Sequence, residues 1–358
     1  MQVSNDILGM LEARGAQMAK EAQRAVIVQP GALGDCILTL PLAKLMQEKL
    51  GLGGVDIIGH AEYVGILPGR SCVDSIRSLD STGLHRLFVE PAEFDLEDRD
   101  PLIGAFADYA WIVTFMGEPD GKFEQNLIFT ANCSHSAEVI SLSLKPPEKA
   151  RQHVAQYYAE QFAQASGLLA DQAHVGIDDV LIRVTAADRA QGLELLDQAG
   201  VDVSKKLMVI HPGSGGRAKC WHLENFVGVA EALRALEIEA VFLTGPVEAE
   251  RLSDSEKACL HDAAPCVADL ALPQVVGVLG CADGFVGNDS GVTHLAAGMG
   301  LRTSAMFGPT DPAVYRPIGP ALSVFRDTED RFAQGPDPAL QRAVVESLTA
   351  PRKKSTAS

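Results

Sequence analysis

The chain has 358 residues, of which 47% are apolar, and a formal net charge of −17. That length accommodates two domains with separate cores, and the composition is that of a folded α/β protein, which excludes a disordered chain. The acidity excludes a protein whose main work is gripping nucleic acid or an anionic membrane, because both need clustered Lys and Arg.

The seven cysteines form no CxxC or CxxH pair, so neither a disulfide framework nor a zinc site is signalled. No apolar run is long enough to span a bilayer and no signal peptide is evident, so a cytoplasmic protein is the simplest expectation. In residues 1–23, Val3, Ile7, Leu8 and Leu11 recur at helical spacing. They predict an amphipathic helix that docks on its own domain or on a partner, with peripheral contact at the inner membrane face as the other use.

Apolar, strand-like runs then alternate with helical patterns: Ala25 to Gln29, Val55 to Gly59, Ala110 to Phe115, Leu207 to His211, Ala240 to Thr244, Gly284 to Gly287 and Arg302 to Phe307. Such alternation predicts βαβ units and parallel sheets. Glycine-marked strand-to-helix turns follow both Val28 and Ile210, which predicts two similar doubly wound domains, 24–180 and 181–330. Between them a helix is expected over His153 to Gly167, then a lead-in strand within DDVLIRVTAADRA. A helix from Pro336 to Leu348, within 331–350, is expected to pack back on the first domain, and a polar tail at 351–358 to be disordered.

Four turns carry chemistry. The first, QPGALGDCILTLP from Gln29 to Pro41, has the outline of a phosphate loop but no lysine; the helix instead starts with Asp35, readable as a helix cap or as a general base. The second, HPGSGGRAKCWHLENF from His211, sets Gly213, Ser214, Gly215 and Gly216 between a strand and a helix and adds the cation of Lys219. Gly213, Gly215 and Ala218 also satisfy the dinucleotide pattern GxGxxG/A, so an oxidoreductase stays open here, as does a purely structural turn with a solvated lysine. In the third, LTGPVEAER from Leu243, Glu248 could accept from a ribose diol or simply favour a helix start. In the fourth, VGNDSGVTHLAA from Val286, a helix N-terminus after Asn288-Asp289-Ser290-Gly291 offers free N–H groups to a phosphate, and Asp289 suits sugar hydroxyls unless it is only an N-cap.

In their order and spacing, and with AMFGPTDPAVYRP after them, these segments resemble glycosyltransferase family 9, the ADP-heptose:lipopolysaccharide heptosyltransferases and their relatives. The resemblance covers roughly residues 24 to 325 and is strongest in the second half. It implies the GT-B architecture: two facing Rossmann-like domains with parallel sheets and a cleft between them, the acceptor held by the first and the donor by the second. It also implies an inverting, metal-independent transfer with no cofactor beyond a nucleotide-sugar donor, ADP-heptose above all, onto a glycan or glycolipid such as a lipopolysaccharide core. The absence of an Asp-x-Asp pair at a strand end is consistent with that chemistry.

Position by position, the resemblance makes Asp35 the base for the acceptor hydroxyl. It gives Ser214, Gly215 and Lys219 the diphosphate and sugar, Glu248 the ribose and Leu270 the base. Asp289, Ser290, Gly291 and His294 fall to the donor sugar and phosphate. An NAD(P)-dependent oxidoreductase built on the Gly213 turn, or a noncatalytic nucleotide-sugar-binding protein, are the alternatives.

Overall fold

The computed structural model describes residues 23–169, 172–326, 332 and 334–351. The helix expected over 1–23 and the tail at 351–358 therefore lie almost wholly outside the described residues. The chain divides into two units, Met1–Gly176 and Ile177–Ser358, four residues before the boundary read from the sequence.

In the first unit, β1 (Arg24–Gln29), β2 (Gly54–Gly59), β3 (Ile76–Ser78), β4 (Tyr109–Thr114) and β5 (Glu138–Ser141) form a parallel sheet in the order β3-β2-β1-β4-β5. Ala25 to Val28 are fully buried, as expected for a central strand covered on both faces. Helix Leu33–Leu50 follows β1 and packs on helix Val154–Ser166; it is apolar on nearly every side because it lies between the sheet and that second helix. Gly167, in the left-handed conformation, closes the second helix where the sequence places its end.

In the second unit, β6 (Leu207–His211), β7 (Glu239–Thr244), β8 (Cys266–Ala268), β9 (Gly284–Asn288), β10 (Arg302–Phe307) and β11 (Leu322–Arg326) are parallel in the order β11-β10-β9-β6-β7-β8. Helices Ala186–Gln198 and Leu272–Gly280 cross at Gly192 and Gly277, where a Cβ on Gly192 would overlap the Gly277 carbonyl. One expectation is corrected. The lead-in strand is absent: Leu181 and Ile182 donate their N–H groups to the Gly298 carbonyl at a helix end, and Ile182 is buried there without joining a ladder. The helix Pro338–Thr349 packs within the second unit. Its Val344, Val345 and Leu348 join Phe226, Val229 and Met208 in the second unit's core.

Each sheet reverses its strand order beside its first strand, between β1 and β4 and between β6 and β9. In open α/β sheets the crevice beyond the carboxyl ends of the strands at such a switch point is where ligands bind. The sequence-predicted turns lie there: Pro30 to Ala32 after β1, Pro212 to His222 after β6, and Asp289 to Ser290 after β9.

Candidate functional site

The second unit gathers most of the expected site residues. Asp289, just past β9, is buried, and its carboxylate is flanked by two basic side chains. Lys219 Nζ donates to Oδ2 at 2.7 Å, and His294 Nε2 stands 3.7 Å from Oδ1, long for a hydrogen bond. Burial alone would raise the carboxyl's pKa, but the favourable contacts with His294 and Lys219 outweigh it and hold the group down at about 2. Asp289 is not the helix cap. Ser290 is, accepting from the Thr293 N–H, so Gly291 opens the helix Gly291–Gly298 and the Asp289 side chain is available to Lys219.

Ser214 meets this group from the β6 loop by donating Oγ–H to the Asp289 carbonyl at 2.8 Å. Beside it, Asn288, fully buried at the end of β9, braces the loop twice: its Oδ1 accepts from Trp221 N at 2.8 Å and its Nδ2 donates to Pro212 O at 2.7 Å. His211 donates from Nδ1 to Leu243 O at 2.9 Å, which fixes the ring at the end of β6. His294 Nδ1 is buried with no hydrogen-bond partner among the described residues, a polar atom in want of a ligand or water.

Glu248 follows β7 and enters from the other side. Its Oε2 accepts from Gly245 N at 2.8 Å, the capping-box contact that starts the helix Pro246–Arg251. A Cβ on Gly213 would overlap Glu248 Oε1, so the carboxylate packs where a side chain would stand. Gly215 has open space where its Cβ would be. Arg251, on the same short helix as Glu248, reaches back to the β6 loop, donating Nη1 to Ser214 O and Nη2 to Gly215 O, each at 3.0 Å. Arg217, Lys219 and Arg251 thus concentrate positive charge around one loop of an acidic chain. Glu248 borders two cavities, one of about 300 Å³ with Gly213, Trp221 and Arg251, the other of about 260 Å³ with Thr244, Leu260 and Lys257. Leu270, half-buried beyond β8, completes the row of strand ends. Sequence reasoning missed Asn288 and Arg251. Both stood within quoted motifs, but their partners are 36 to 76 residues away.

In the first unit, Asp35 is in the first turn of its helix and is not its N-cap. Its Oδ2 accepts from Ala32 N at 3.0 Å, and its Cβ would lie 2.6 Å from one built on Gly31, so the loop glycine makes room for the acid. Gln29, wholly buried, donates to Thr39 Oγ1 at 2.7 Å and accepts from Gly31 N at 2.9 Å, pinning the loop beneath. Burial pushes the neighbouring Cys36 thiol up to about 12, which leaves no thiolate nucleophile beside Asp35. Among the described residues no three His, Cys, Asp or Glu side chains gather as a metal site, and no helix is long and apolar enough to cross a membrane.

Comparison with known proteins bears on both units. The chain is 32% identical over 131 residues to lipopolysaccharide heptosyltransferase 3 of Escherichia coli, covering 34% of this chain and 36% of that protein. It is 26% identical over 148 residues to a putative glycosyltransferase of Haemophilus influenzae, covering 38% and 41%. The alignments thus span well under half the length of these relatives. Solved structures share the fold across most of the chain. A glycosyl transferase family 9 protein from Veillonella parvula has a TM-score of 0.64 at 17% identity over 85% of this chain and 86% of that one. The E. coli heptosyltransferase WaaC with ADP scores 0.61 at 18% identity over 91% and 100%. The family model for glycosyltransferase family 9 (heptosyltransferase) matches residues 132–335, more than half of the chain, and the protein belongs to that family.

Proposed function

We propose that the protein transfers a heptosyl residue from ADP-heptose to a hydroxyl of a lipopolysaccharide core or another cell-surface glycan, with inversion and without a metal ion, at the cytoplasmic face of the inner membrane. The observation that carries this reading is the row of strand ends β9-β6-β7-β8, each of which is followed by a residue suited to the next part of a nucleotide sugar. Three intervals of about 4.8 Å make about 14 Å, the scale of an extended sugar–diphosphate–nucleoside. Asp289, Ser290, Gly291 and His294 take the sugar and adjoining phosphate, and Ser214, Gly215 and Lys219 the diphosphate. Glu248 takes the ribose and Leu270 the base. The E. coli structures of WaaC with ADP and with ADP-2-deoxy-2-fluoro heptose support the choice of nucleotide and sugar.

In the reaction, Asp35 takes the acceptor's hydroxyl proton as its oxygen bonds the anomeric carbon from the side opposite the diphosphate, and the anomeric carbon–phosphate oxygen bond breaks to release ADP. Charge growing on the leaving phosphate is met by Lys219 and the N-terminus of helix Gly291–Gly298, fixed groups that need no reorganisation. Mass-spectrometric detection of transfer or hydrolysis across a panel of nucleotide sugars tests the donor: ADP-heptose should be consumed, and turnover of a UDP-hexose alone would displace it.

A further inference from the structure

We infer that Arg251 is a positioning residue for the donor diphosphate, acting through the backbone of the β6 loop; this rests on the reading of that loop as the phosphate cradle. The guanidinium donates to two consecutive carbonyls, those of Ser214 and Gly215. In a trans peptide the C=O and the following N–H point in opposite directions, and the described chain has no cis bond. Drawing both carbonyls toward Arg251 therefore turns the Gly215 and Gly216 N–H groups away from it. Among the described residues neither N–H donates to any partner, and no atom lies within 4 Å of a Cβ built on Gly215.

Successive free N–H groups at a bend such as Gly215-Gly216 can hold an anion, and successive glycines let that backbone be approached closely. Without Arg251 the same peptides could turn over and present carbonyl oxygens, which repel phosphate. The planar fork of arginine spans both carbonyls in one plane, whereas a lysine ammonium supplies the charge without that geometry. Other contacts hold the ends of the loop, Asn288 at Pro212 and Trp221 and Ser214 at Asp289, so the two glycine peptides are the part that Arg251 alone fixes.

The test compares ADP with adenosine by isothermal titration calorimetry in the intact protein and in Arg251→Lys and Arg251→Ala, each first checked for an unchanged thermal midpoint. Arg251→Ala should weaken ADP binding about tenfold and adenosine binding less than twofold. Arg251→Lys should resemble Arg251→Ala, because the charge stays but the two-carbonyl grip does not. Full ADP affinity in Arg251→Lys would reduce Arg251 to a point charge and overturn the positioning role. An unchanged ADP-to-adenosine ratio in Arg251→Ala would overturn any role at the diphosphate. An intact protein with no preference for ADP over adenosine would instead overturn the phosphate-cradle reading, and this inference with it.

Discussion

Replacing Lys219 by Met removes the cation from Asp289 and keeps most of the side chain's apolar bulk. The depression of the Asp289 pKa from 3.8 to about 2 corresponds to about 2 kcal/mol of stability, shared between Lys219 and His294 and net of burial. Because the Lys219 side chain is 39% exposed, its share is screened, and a coupling of about 1 kcal/mol between Lys219 and Asp289 is expected. The group is depressed, so this stability is fully present above the unfolded carboxyl's pKa near 3.8 and is lost as the pH falls toward 2. Urea denaturation of Lys219→Met, Asp289→Asn and the double variant gives the coupling as a cycle. Done in a Trp111→Phe background, it leaves Trp221, two residues beyond Lys219, to report on the second unit alone. The coupling should persist from pH 7 down to pH 5. A coupling below about 0.3 kcal/mol at pH 7 would refute the reasoning.

Asp35→Asn should lower transfer by at least about a hundredfold while leaving ADP affinity within about twofold, since the amide oxygen can still accept from Ala32 N and only the base is lost; unchanged turnover would end the assignment. Gly213→Ala should push the Glu248 carboxylate aside, at a stability cost below about 1 kcal/mol because the obstacle is the end of a flexible side chain, and weaken ADP binding, and calorimetry showing native ADP affinity would remove Glu248 from the donor site. At the helix crossing, Gly192→Ala should cost about 2 kcal/mol by urea denaturation, because the obstacle at Gly277 is backbone and cannot swing away, with ADP affinity unchanged in the folded protein. Leu270→Ser should weaken adenosine and ADP alike and leave pyrophosphate binding intact, and a loss of pyrophosphate binding would place Leu270 elsewhere along the donor.

Seven strands could be read directly because each is rich in apolar residues and mostly buried, the pattern of a strand covered on both faces. β3, β5, β8 and β11 escaped. They have three to five residues and are partly exposed, so their apolar stretches are too short to stand out. The segment VLIRV misled for the opposite reason: it carries strand-like composition, but its backbone bonds to the end of helix Gly291–Gly298. For the candidate site, the residues that stand in glycine-marked turns could be picked out, yet their partners could not. That Glu248 packs on Gly213, or that Lys219 pairs with Asp289, depends on strands far apart in sequence being adjacent in the sheet.

The two switch points differ in the turn that follows the central strand. After β1 only three residues precede the helix, and Asp35 folds back over its start to accept from Ala32 N. A helix N-terminus attracts anions through its free N–H groups, but a carboxylate already stationed there repels a second one. That loop therefore disfavours phosphate and suits a neutral hydroxyl. After β6, eleven residues precede the helix, enough for a glycine run and a short 3₁₀ turn, Arg217–Lys219, that brings Lys219 to Asp289. Its carbonyls are engaged by Asn288 and Arg251, so what it offers is N–H groups and positive charge. One sheet topology thus yields a carboxylate folded over a short turn in one unit and a longer turn of free N–H groups and cations in the other, and the distinction comes from loop length and from a single acid in place of a lysine.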